Sequence, residues 1–157
     1  MKEKSYEMFK NSTIDEIVDV LDAELQKRNE SPIWKLKVVP FSRAILSVLI
    51  PLRDEKMLFT PEGNLVEELT PELFFRWSDF VSLKSLAFTI QKSNEAKKLL
   101  RTKLDDATCQ RYRYISLTQL GEYLSSSNVN LDNEQLDFPI STYNLHQGVS
   151  NVIKSLL

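Results

Sequence analysis

The chain has 157 residues, 42% apolar and 27% charged, a size and balance that fit one compact globular domain and exclude a disordered or fibrous chain. Only three glycines occur, too few for a tight-turned all-β fold, and neither G-x-x-x-x-G-K-[ST] nor G-x-G-x-x-G is present, which removes the common nucleotide-binding loops. The net charge of −2 does not by itself attract nucleic acid, and a single cysteine, Cys109, excludes an internal disulfide and points to a reducing compartment.

The N-terminal "MKEKSYEMFK" is charged and lacks the apolar stretch of a signal peptide. No uncharged apolar run reaches the ~18 residues that a membrane-spanning helix needs. "NSTIDEIVDVLDAELQKR" is a strong helix. Thr13 stands at the N-cap with Glu16 three residues on, the capping-box spacing. Ile14, Ile17, Val18, Leu21 and Leu25 form one apolar stripe, and Lys27 and Arg28 close the last turn. "NESP" then breaks the pattern.

The stretch "SPIWKLKVVPFSRAILSVLIPLRDEK" is strongly apolar. Phe41, Ala44, Ile45, Val48, Leu49 and Leu52 recur at helical spacing, and Leu46 and Ile50 widen the stripe to most of the circumference. Such a helix must be buried on several sides. Pro40 is expected in its first turn, and Pro51 is expected to end or kink it. Arg43 reads as a snorkelling side chain. Pro61-Glu62-Gly63-Asn64 is a turn signal between short runs, so a small hairpin is expected near residues 57–67. Thr70-Pro71-Glu72 reads as N-cap, N1 and N2 of a helix with Leu73, Phe74 and Trp77 inward.

Further helices follow. Asp79 or Ser82 can cap "LKSLAFTIQKS". Asn94 can cap "EAKKLLRTKLDD", with Ala96, Leu99, Leu100 and Leu104 inward. Ser116 can cap "LTQLGEYLSS". Residues 125–140 form a polar loop, and "STYNLHQGVSNVIKSLL" is a closing helix with Leu145, Val149, Val152, Ile153 and Leu156 on one face. The fold expected is all-α, a single multi-helix domain over residues 1–157 with at most one small hairpin.

No catalytic motif emerges. One histidine, His146, and one cysteine do not supply the three or four ligands of a metal site, and no cofactor is implied. A Cys109–His146 nucleophile pair is conceivable, but nothing around Cys109 marks a nucleophile. Asp105-Asp106 and Glu67-Glu68 are sequence neighbours whose side chains diverge on a helix. The chain is therefore read as non-enzymatic. The clearest electrostatic feature is residues 92–113, with seven basic residues against three acids, a local +4 that leaves −6 for the rest. Lys97, Lys98, Arg101, Lys103, Arg111 and Arg113, with Tyr112 and Tyr114, are the candidate substrate-binding residues. Cations hold phosphates and flat rings stack on unpaired bases, so weak binding that prefers single-stranded DNA is expected of them. The plainer reading is a solvated helix face with half-buried tyrosines.

Trp34-Lys35, the apolar run through Leu49 and Pro51-Leu52-Arg53-Asp54 together resemble the helical insertion of type IV coupling proteins, hexameric membrane ATPases that recruit substrates to conjugation and secretion systems. "LTPELFFRWSDFVSLKSLAF" and "NLHQGVSNVIKSLL" are similar to the later helices of that insertion, and the likeness spans residues 31–157. It implies an all-helical, non-catalytic recognition domain, a fragment of a larger ATPase whose nucleotide-binding half lies outside this chain. It implies a place at the cytoplasmic face of the bacterial inner membrane without direct membrane contact. The implied partners are DNA, secreted or relaxase-type protein substrates, and other secretion-system components. The alternative is a stand-alone helical adaptor or secretion chaperone that binds protein through an apolar groove.

Overall fold

A computed structural model describes residues 2–28, 31–91, 106–126 and 140–157. Its axis is the helix α3 (Pro32–Asp54), and from Phe41 to Ile50 every residue of it except Arg43 is buried. Around it stand α1 (Lys2–Asn11), α2 (Ile14–Gln26), α4 (Pro71–Trp77), α5 (Phe80–Gln91), α6 (Asp106–Arg111), a 3-10 turn (Tyr112–Tyr114), α7 (Thr118–Ser126) and α8 (Ile140–Leu156). α2, α4, α7 and α8 pack directly on α3, while α5 packs on α4 and on the 3-10 turn. The all-α expectation therefore holds. Among the described residues no helix is long and apolar enough to cross a membrane.

The caps explain where the helices begin. Thr13 accepts from the Glu16 amide at 3.2 Å and donates its hydroxyl to the Glu16 carboxylate at 3.1 Å. Thr70 accepts from the Leu73 amide at 3.2 Å, with Pro71 in the first turn, where its missing N–H costs nothing. Of the two residues able to cap α5, Asp79 does so. Its carboxylate accepts from the Val81 and Ser82 amides at 3.1 and 3.4 Å. Ser116 accepts from the Thr118 amide at 3.4 Å at the start of α7. The helix expected after Asn94 and the polar loop at 125–140 fall largely on residues outside those described.

Two expectations about α3 are corrected. The helix starts at Pro32, so Pro40 lies inside it rather than in its first turn, and Pro51 does not end it. A proline removes one backbone hydrogen bond from the carbonyl four residues earlier. For Pro40 that carbonyl belongs to Leu36, whose residue is 74% exposed, so water can satisfy it. For Pro51 the decisive term is burial. Each of Val48, Leu49, Ile50 and Leu52 gains roughly 1.5–3 kcal/mol on leaving water, which together outweighs a proline penalty of about 3 kcal/mol.

The helix stops at Lys56, which takes φ 58°. The Met57 amide reaches back to the Leu52 carbonyl at 2.8 Å, and the Lys56 amide to Arg53 at 3.2 Å, the paired bonds of a Schellman motif. Beyond it, the expected hairpin shrinks to one antiparallel bridge, Phe59 to Leu65, flanked by Thr60–Asn64 and Val66–Leu58 backbone bonds, each 2.9 Å. The free carbonyl of Phe59 is taken by the Trp77 indole N–H at 3.0 Å, which docks this segment against α4.

Lys56 is a non-glycine residue in the left-handed region, which is costly for any side chain with a Cβ. Lys56→Gly is expected to raise stability by about 0.5–1 kcal/mol, read as a higher urea midpoint at unchanged slope. A lower midpoint would show that the lysine side chain contributes more than its backbone costs.

Candidate functional site

The basic segment is only partly described. Lys97, Lys98, Arg101 and Lys103 lie outside the described residues. Arg111, at the end of α6, is half exposed and meets Glu55 at 3.1 Å, a solvated pair of small energetic weight. Arg113 is exposed and Tyr114 is 86% exposed. Tyr112 is different. Its ring is buried edge-on against Phe59, and its hydroxyl donates to the Met57 carbonyl at 3.0 Å. The 3-10 turn packs on α5, and Tyr112 faces the core from it. It is a core residue, so Tyr114 is the one described ring of this pair open to a stacking partner.

The structure assembles a different set of polar side chains around His146. α8 brings this residue into the core, 2% exposed, stacked on Phe80 with ring centroids 3.8 Å apart. Its Nε2 faces the Ser78 backbone carbonyl, which can only accept, so Nε2 carries the proton. Nδ1 is then the acceptor, and the Tyr123 hydroxyl donates to it at 2.6 Å. Both nitrogens are thus engaged, and the ring ties α7 and α8 to the α4–α5 junction. The histidine that could have partnered Cys109 of α6 is held in this network. Burial pushes its pKa below the usual imidazole value, with the Ser78 carbonyl and the Asp79 charge opposing in part.

Above this network lies a cleft of about 330 Å³ between the first half of α3, α7 and α8, lined by Leu36, Lys37, Pro40, Tyr123, Leu145 and His146 among others. A second cleft, of about 360 Å³, lies between α1, α2 and the end of α8, lined by Met8, Val20, Leu21 and Leu156 together with Lys4 and Glu24. Among the described residues no group of His, Cys, Asp or Glu is placed to hold a metal ion. The sequence reading missed both clefts. The signal for the first was the apolar spacing of Ile33, Leu36 and Pro40 ahead of the strongly apolar run.

One close approach joins the first half of α3 to α8. A Cβ built on Gly148 of α8 would stand 2.5 Å from Cη2 of Trp34 on α3. Glycine is what lets the indole lie on α8. Comparison with family models, with curated proteins and with solved structures returns no match for this chain.

Two outcomes follow from this geometry. Gly148→Ala displaces the Trp34 indole, at a cost of about 1–3 kcal/mol, against the ~1 kcal/mol that alanine gains over glycine inside a helix, so a net loss of up to about 2 kcal/mol is expected; an unchanged or raised denaturation midpoint would show that the indole moves freely. His146 gives a pH dependence. Its folded pKa is depressed below 6.5, so stability is complete above that value and falls as pH drops through it, when the unfolded chain takes up a proton that the buried ring resists. The thermal midpoint should decline between about pH 7.5 and 5.5, above the main carboxylate range, and His146→Gln should flatten that decline. A slope that is absent in the parent chain, or unchanged in the variant, would assign it to other groups.

Proposed function

We propose that this chain is a non-catalytic substrate-recognition domain of the kind carried by type IV coupling ATPases, acting at the cytoplasmic face of a bacterial inner membrane. The observation that carries the reading is the seating of Trp34 on Gly148. These two residues belong to the two quoted segments at the ends of the likeness, far apart in the chain. Their contact supports reading the two segments as parts of one folded unit. Arg53 of "PLRD" adds to this. Its Nη1 donates to the Phe9 carbonyl at 2.9 Å, so the motif closes the last turn of α1.

Protein is the favoured substrate class. Two clefts are open on the described surface, one with largely apolar walls between α1, α2 and α8 and one of mixed lining beside α3, α7 and α8. Of the tyrosines that would stack on bases, Tyr112 is in the core. The same clefts fit the alternative, a stand-alone adaptor or secretion chaperone. The two readings separate on the gene: the coupling-protein reading expects the reading frame to continue upstream into a Walker motif and membrane helices, and a frame limited to these residues sinks it. Expressed alone in a cell with the intact transfer system, the domain should lower substrate transfer by competing for the substrate. Unchanged transfer at high expression would count against recruitment by this domain.

Any contact with nucleic acid is assigned to the basic segment. A labelled single strand should bind weakly at low salt and lose that binding at physiological salt, as phosphate contacts require. Changing Lys97, Lys98 and Arg101 together to glutamate should abolish the anisotropy change. Binding that survives the reversal, or that ignores salt, removes these residues from the role.

A further inference from the structure

The first half of α3 carries an outward stripe. Ile33, Leu36, Lys37 and Pro40 fall at i, i+3, i+4 and i+7, which places them on one face of the helix. Ile33 is 45% exposed and Leu36 74% exposed, unusual values for large aliphatic side chains standing side by side. The stripe runs directly into the cleft of about 330 Å³ beside α7 and α8. Among the described residues that line the cleft, Lys37 is the one with a full charge at neutral pH, His146 being held neutral by burial. Lys37 is exposed and forms no ion pair among the described residues.

We infer that this stripe and cleft dock an amphipathic helix of a partner protein, whose apolar side chains cover Ile33, Leu36 and Pro40 and whose carboxylate meets Lys37. A helix fits better than an extended strand. The stripe repeats at helical spacing, so the ridges of a second helix can lie in its grooves, and strand addition needs an open sheet edge, of which the described residues have none. The cleft next to Leu36 has room for one large apolar side chain as the anchor. Charge selects the acidic partner: a basic helix would meet Lys37 unpaired, whereas a glutamate on the same face gains an attraction that excludes water from one side. This deepens the recognition reading above and rests on it.

The test is a nuclear magnetic resonance titration of the full chain with a designed peptide that has leucines at i, i+3, i+4 and i+7 and one glutamate on that face. Matched peptides replace the glutamate by glutamine or lysine. The glutamate peptide is expected to shift the signals of Ile33, Leu36, Lys37 and Leu145, and to bind about fivefold more tightly than the lysine peptide. Lys37→Glu should reverse that preference; Lys37 is exposed, so the variant is expected to keep the helical circular dichroism of the parent. Peptide preference that ignores the charge at residue 37, shifts confined to other surfaces, or no binding by any of the three peptides overturns the inference. So do contacts in the free protein between the Leu36 methyls and residues 127–139 of the same chain, which would make that segment the occupant. Substrate transfer that still responds to the isolated domain, with Lys37→Glu as effective as the parent, overturns this inference alone and leaves the recognition reading standing.

Discussion

From Phe41 to Leu52, α3 carries apolar or small side chains around almost its whole circumference, so it is stable only where other elements cover it on every side. That requirement sets the architecture. α2 lies along it, α7 and α8 close it from other directions, and α4 meets it through Phe74, whose ring packs on Phe9 and edge-on to Phe41. Ser42 shows how completely the helix is enclosed. Its hydroxyl is buried with no hydrogen-bond partner among the described residues.

A helix that is covered all round leaves its neighbours to satisfy their own ends, and two arginines do so over long sequence distances. Arg53 leaves the last turn of α3 to donate to the Phe9 carbonyl at 2.9 Å and pairs with Asp54 at 2.9 Å, its side chain only 8% exposed. Arg28 follows α2 and donates to the Ser155 carbonyl at 2.7 Å, in the last turn of α8. Each guanidinium meets carbonyls that a helix end leaves without intrahelical donors. The terminal turns are thereby tied to elements that pack on α3, so the helices are fixed at their ends as well as along their buried faces.

His146 joins the layers at the centre. One imidazole holds the Ser78 carbonyl, accepts from Tyr123 and stacks on Phe80, so it links α8, α7 and the α4–α5 junction. The cleft opens where these elements stop covering α3. Ahead of Phe41, α3 is covered on one side only: Val38 is buried and Trp34 rests on Gly148, while Ile33 and Leu36 are exposed. The recognition reading and the docking stripe both belong to this transition from covered to uncovered helix.

Much of the fold was legible in the residues themselves. The Thr13 and Thr70 caps, the stripe of α2 and the all-round apolarity of α3 are local signals. A cap needs only a neighbour three residues away, and helical periodicity is a property of one segment. The tertiary structure decided what depends on distant partners. It carried α3 through two prolines, past Pro40 because water can satisfy the carbonyl of the exposed Leu36 and past Pro51 because burial outweighs the lost hydrogen bond. It reduced the hairpin to one antiparallel bridge, Phe59 to Leu65, and docked that segment on α4 through the Trp77 indole. It turned Tyr112 inward from a segment whose arginines suggested an open surface. It also gathered Leu36, Lys37, Tyr123 and His146 around one cleft. No spacing within a single helix encodes that meeting, since it exists only once three helices have packed.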